Sequence, residues 1–153
     1  MILKPTFNFA FLKTIFFLII SATLLISGLF FVNNQIFILV ALVFSPILLI
    51  IFAYKFWFII TSSYSITEDN IVYERGVFSK KTDFLELYRI KDYTIDKPFI
   101  FRLLGVSKLV LISSDKTNPQ LLIEGVKVKE DFIDNLRFKV EEQRKHKRVY
   151  EVD

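Results

Sequence analysis

Residues able to do chemistry are few in this sequence, and their spacing keeps them apart. No cysteine occurs, which excludes disulfides and thiolate metal sites. The one histidine, His146, lies in the charged run Arg144-Lys145-His146-Lys147-Arg148, so no multi-histidine metal centre can be built. Asp83, Asp92, Asp96 and Asp115 fall in separate short segments. Acid–base or metal work would need two of them to converge on a base or an ion, and nothing in their spacing brings that about. Neither a glycine-rich phosphate loop nor a nucleophile elbow is present. The expectation is a non-enzyme with no cofactor, no metal and no small-molecule substrate.

The charge distribution narrows the class further. Of the 20 basic residues only Lys4, Lys13 and Lys55 lie before Thr61, and no acid does. The remaining 17 face all 16 acids, so the second part of the chain is nearly neutral. A nucleic-acid binder would carry a clearly basic domain there. The chain is 53% hydrophobic with 18 Phe, a composition expected when about a third of it sits in lipid.

From Thr14 to Tyr54 no residue is charged. As one helix these forty-one residues would reach roughly 60 Å, about twice the hydrocarbon thickness, so they must fold back. Asn33-Asn34-Gln35 is the polar break inside the run, with Gly28 shortly before it. The expected spans are about 11–32 and 36–58, within a hairpin unit 1–60. A cleaved leader would need a shorter apolar core and small residues before the cut, whereas Leu29-Phe30-Phe31-Val32 are bulky and a second span follows. The three lysines flank the outer ends and the turn is uncharged, which by the positive-inside rule puts both termini in the cytoplasm. The expectation is a multi-pass protein of the bacterial inner membrane. Tyr54 and Trp57 suit an interfacial aromatic belt, Lys55 can snorkel, and Pro46 either kinks or is tolerated by the second helix.

Residues 61–153 have a different texture. Segments 64–67, 71–75, 81–89, 93–97, 109–114 and 120–126 alternate in polarity and are rich in β-branched, aromatic and leucine residues, as strands are. Glu68-Asp69-Asn70 and Asp115-Lys116-Thr117-Asn118-Pro119 read as turns, and Leu85 and Leu87 share one strand face. In 129–148 the period changes: Phe132, Ile133, Leu136 and Val140 recur at helical spacing with charges opposite. Six or seven antiparallel strands followed by one amphipathic helix predict a curved sheet or barrel with one end plugged by that helix.

Four blocks then carry a resemblance. Gly76-Val77-Phe78-Ser79-Lys80-Lys81-Thr82-Asp83, Leu87-Tyr88-Arg89-Ile90-Lys91-Asp92-Tyr93, Arg102-Leu103-Leu104-Gly105 and Ser113-Ser114-Asp115 resemble bacterial pleckstrin-homology (PH)-like proteins, in particular the membrane-anchored second group. The resemblance implies an α+β membrane protein: a transmembrane hairpin followed by a seven-strand, partly open antiparallel barrel with a C-terminal helix. It also implies a non-catalytic interaction module or scaffold that binds a protein partner or its own copy. The rival expectation is an accessory subunit packed into a larger membrane complex through its Phe-rich hairpin. Relatives of the fold bind phosphoinositides through a basic first hairpin, but Glu68-Asp69-Asn70 is acidic, so that property is not carried over.

The candidate contacts each have a plainer reading. Lys55, Trp57, Phe99, Phe101 and Arg102 are candidates for the membrane interface, the last three by dipping aromatics beside a phosphate-binding arginine; the plain alternative is a short helix or loop closing the barrel. Lys80, Lys81, Arg89 and Asp92 are candidates for a partner surface. Alternatively the lysines guard a strand edge, and Arg89 and Asp92 form an ion pair at a strand end. The basic run 144–148 is a solvated helix end or a contact for membrane or an acidic partner. Gly76 and Gly105 are expected in turns of positive φ.

Overall fold

The computed structural model describes residues 1–30, 34–115, 119–128 and 130–147. Of the features expected from the sequence, Phe31, Val32, Asn33, Lys116-Thr117-Asn118, Lys129 and Arg148 lie outside the described residues.

Two antiparallel helices form the apolar hairpin, α1 (Phe7–Phe30) and α2 (Gln35–Thr61). Both are long and apolar enough, by length and composition, to cross a membrane. Asn34 caps α2 by accepting from the Phe37 N–H at 3.4 Å, and the helix runs unbroken through Pro46. The facing stripe is made of small and hydroxylated residues. Thr14, Ser21 and Gly28 recur every seven residues on α1 and are buried, as are Ala41 and Ser45 on α2. The Ser21 and Ser45 hydroxyls meet at 2.8 Å, one donating to the other, and each lies within 3.3 Å of the other's carbonyl oxygen, so the remaining proton goes to a carbonyl. Thr14 returns its hydroxyl to the Ala10 carbonyl at 2.8 Å. A Cβ on Gly28 would stand 2.8 Å from that of Ala41, so the backbones approach as closely as small side chains allow.

Among the described residues seven strands follow one antiparallel rule but make two sheets. The first has the order β1 (Ile2–Leu3), β2 (Ser63–Ile66), β3 (Asn70–Arg75), β4 (Lys81–Glu86). The second is β5 (Ile90–Asp96), β6 (Ser107–Ser113), β7 (Gln120–Val126). Where the resemblance implied one partly open seven-strand barrel, the described residues form two separate antiparallel sheets and no closed barrel. Six strands come from the expected region; β1 precedes the hairpin and pairs Leu3 with Tyr64 and Ile2 with Ser65. Between the sheets, the Thr6 N–H donates to Gly125 O at 2.9 Å and the Tyr64 hydroxyl to Leu122 O at 3.3 Å.

The expected strand 81–89 ends early. β4 stops at Glu86, and Leu87–Arg89 forms a 3₁₀ turn that carries the chain from one sheet to the other. The Leu87 N–H is satisfied by Asp69 O at 2.9 Å, which removes it from any ladder. Leu85 and Leu87 nevertheless point the same way, and both are buried. A short helix, α3 (Phe99–Leu103), links β5 to β6. The last helix, α4 (Glu130–His146), buries Phe132, Leu136 and Val140, with Ile133 packed at the rim of the core. Its three buried side chains join Ile66, Ile71, Leu109, Leu111 and Ile123 in one cluster. Each such burial contributes about 1.5–3 kcal/mol relative to exposure. Gly76 and Gly105 have φ of 123° and 64°, as the turns there require.

Candidate functional site at the junction of hairpin and sheets

A cleft of about 390 Å³ opens where the lower ends of the helices meet the two sheets. Phe9 and Lys13 come to it from α1, Phe58 from α2, Tyr64 and Tyr73 from the first sheet and Glu124 from β7. Alternation in β2 and β3 places Tyr64 opposite Tyr73, and their rings stack at 4.5 Å with only 6° between planes. Burial, with Tyr73 adding to it, pushes the Tyr64 phenol far above its ordinary value. It is therefore a neutral donor to Leu122 O, with no capacity as a base near neutral pH.

The charges around the cleft are matched. Lys13 pairs with Glu124, joining α1 to β7 across 111 residues. Arg75 pairs with Asp83 at 2.9 Å along neighbouring strands, and Lys81 reaches the same carboxylate at 3.5 Å. Arg75 also lies 5.1 Å from the Tyr73 ring centroid. Asp83 is thus held by two cations rather than poised beside a nucleophile. Among the described residues no three of His, Asp and Glu gather as a metal-ligand set. What the arrangement can do is hold two sheets and a helix pair together and present an amphipathic surface around them.

That surface contains most of the residues singled out from the sequence. Trp57 is 64% exposed, and Lys55 lies 5.2 Å from the Phe17 ring. On α3, Phe99 is exposed with Arg102 stacked near it at 5.9 Å, while Ile100 and Leu103 are exposed alongside. Phe101 turns the other way: its ring meets that of Phe9 edge-on at 5.3 Å. The two aromatics expected to dip together therefore point apart, because two residues along a helix turn through about 200°. Lys80 and Lys81 are exposed at the start of β4.

Arg89 and Asp92 are not paired, which corrects the expected ion pair. Arg89 binds Glu86, with Asp115 at 4.0 Å, and Glu86 also accepts from the Tyr88 hydroxyl at 2.8 Å. The Tyr88 hydroxyl first, and Arg89 after it, hold the Glu86 carboxyl below its usual value. Asp92 accepts from the Tyr93 N–H at 2.7 Å and lines a polar groove with Arg137, Glu141 and Arg144 of α4. Arg144 itself donates to the Ile90 carbonyl, so part of the basic helix end is structural.

Two contributors escaped the sequence reading. Phe78, at the tip of the β3–β4 loop, is 93% exposed and stacks 6.3 Å from Tyr54 of α2. Its signal was an aromatic between Gly76 and two lysines, in a turn where solvent would favour a polar residue. Gly125 has φ of 72° and lies under Phe9; a glycine within an otherwise apolar strand was its only signal.

The sequence profile of the bacterial PH domain family matches residues 9–136, from within α1 to within α4. The chain belongs to that family. No curated protein and no solved structure matches it.

Proposed function

We propose that this chain is a membrane-anchored, non-catalytic interaction module whose sheets lie against the inner face of a bacterial membrane, with both termini cytoplasmic. Membership of the bacterial PH domain family supports an interaction role. The observation that carries the anchoring is the inverted polarity of the hairpin. Three of its hydroxyl groups, Thr14, Ser21 and Ser45, are buried, and exposed Thr23 gives its own to Ile20 O, while Phe16, Ile26, Leu39, Phe44 and Ile50 face outward. In water this arrangement exposes what should be hidden; in lipid it satisfies every group.

Elements from both sheets reach the same level of the hairpin. Phe78 from the first sheet lies against Tyr54, and α3 from the second lies against Phe9. Phe99 and Trp57 then sit where an apolar ring meets headgroups, with Lys55 and Arg102 at their side. For a protein partner or a second copy, the surface is the free edge of β4, where Lys80, Lys81 and exposed Phe84 stand. Arg89 and Asp92 flank the crossing to the second sheet and extend that surface. The Phe-rich outer face of the hairpin favours a second reading, an accessory subunit docked on other membrane helices.

Fractionation tests the anchoring. The chain should pellet with membranes and resist alkaline carbonate, and its recovery in the supernatant without detergent would overturn the proposal. Gentle solubilisation separates the readings: a monomer or homo-oligomer supports the module, a stable complex with unlike subunits the accessory subunit.

A further inference from the structure

Two clefts share Lys13, Phe58 and Ile59, and the second of them lies on the helices alone. It is a groove of about 410 Å³ between α1 and α2, walled by Lys13, Thr14 and Phe17 on one side and Tyr54, Lys55, Phe58 and Ile59 on the other. The two lysines are far apart in sequence yet stand on opposite walls of one groove. Everything between them is apolar or aromatic, apart from the Tyr54 phenol and Thr14, whose hydroxyl is already given to Ala10 O. Lys13 is engaged by Glu124, whereas Lys55 forms no ion pair among the described residues and lies over the Phe17 ring.

From this juxtaposition we infer that the groove binds one anionic phospholipid, its phosphodiester beside Lys55 and its acyl chain along Phe17. The inference rests on the anchored reading proposed above. Lys55 beside an apolar wall complements an anionic head on an apolar tail, and a neutral peptide helix is excluded because it would leave the Lys55 ammonium unmatched. Glu124 tunes the site. Its carboxylate occupies Lys13 and repels a phosphate entering from the sheet side, so the headgroup is held on the Lys55 wall.

The test uses the full chain in nanodiscs of equal parts phosphatidylglycerol and phosphatidylcholine, with native mass spectrometry of the lipid each chain retains. The wild type should retain one phosphatidylglycerol in preference to phosphatidylcholine. Lys55→Gln should lower that preference roughly fivefold, the weight of one interfacial lysine. Glu124→Gln should raise it by freeing Lys13, a gain that misfolding cannot mimic. Paired Lys91→Gln and Lys108→Gln, on β5 and β6, should leave it unchanged. Equal retention of both lipids, no effect of Lys55→Gln, no gain with Glu124→Gln, or an equal loss from the Lys91/Lys108 pair would overturn the groove while leaving the anchoring intact. Failure of the chain to enter nanodiscs would overturn both.

Discussion

The ring of Phe9 lies so close over Gly125 that a Cβ at that glycine would stand 2.0 Å from the ring's Cδ1. Helix α1 thereby rests directly on the backbone of β7, and Lys13, one helical turn further on, reaches Glu124 next to that glycine. This contact fixes the hairpin to the second sheet. Gly125→Ala must displace Phe9 and also place a side chain at φ of 72°. A loss of about 2 kcal/mol or more is expected in detergent unfolding, with the apolar helices still formed. A neutral result would show that the helix does not sit on the strand.

The serine pair inside the hairpin makes a different prediction. Replacing Ser21 and Ser45 together by Ala removes both hydroxyls at once and leaves no orphan, so the cost should be about 1 kcal/mol or less. Ser21→Leu forces the backbones apart at their tight crossing and should cost several times as much. Equilibrium unfolding in mixed micelles would compare the two, and equal costs would contradict close helix contact.

Acid should loosen the crossing between the sheets. With its folded carboxyl held below the ordinary value of about 4.5, Glu86 adds stability that is fully present above that value and is lost as pH falls through the lowered one. The gap in Tm between the wild type and Glu86→Gln should therefore be widest near neutrality and close below pH 4.5. A gap unchanged down to the most acidic pH at which the protein folds would refute the Tyr88 and Arg89 bonds.

Alkali should act through Tyr64. Its phenol is raised in the fold, so the unfolded chain loses the proton first once pH passes the ordinary value of 10.0. Stability should fall above that pH, and Tyr64→Phe should flatten the decline while giving up the bond to Leu122 O. An alkaline decline identical in both proteins would place the sensitivity elsewhere.

Membrane contact by the sheets is checked at Phe78 and Phe99. In nanodiscs, hydrogen exchange of residues 76–80 should be slow for an exposed loop, and Phe78→Asp should speed it. Phe99→Asp should do the same for α3, whereas Phe101→Leu should act on stability through Phe9 rather than on exchange. Fast exchange of the loop in the wild type would separate the domain from the bilayer surface.

Much of the chain was legible because its signals are local and repeated. Charge-free residues 14–54 give the hairpin, alternation gives the strand pairs, and Phe132, Leu136 and Val140 mark the buried face of α4. What was not legible depends on partners remote in sequence. A strand of two residues has no period, so β1 is visible only once β2 lies beside it. The end of β4 at Glu86 follows from Asp69 taking the Leu87 N–H. Arg89 had several carboxylates within reach, and the 3₁₀ turn selects Glu86 three residues back over Asp92 three residues ahead. The surface was half readable: Lys80, Lys81, Phe99 and Arg102 were singled out and are exposed, but Phe78 and Gly125 acquire meaning only against α2 and α1.

The hairpin leaves and re-enters the same sheet, with β1 before it and β2 after it held edge to edge. Between Leu3 and Phe7 there are three residues, and between Thr61 and Ser63 only one, too few to act as a swivel. Helices and sheets thus move as a single lever. On the anchored reading proposed above, a thinner or thicker bilayer that tilts the pair would swing the β4 edge through the same angle, so lipid composition would set the direction in which that edge points.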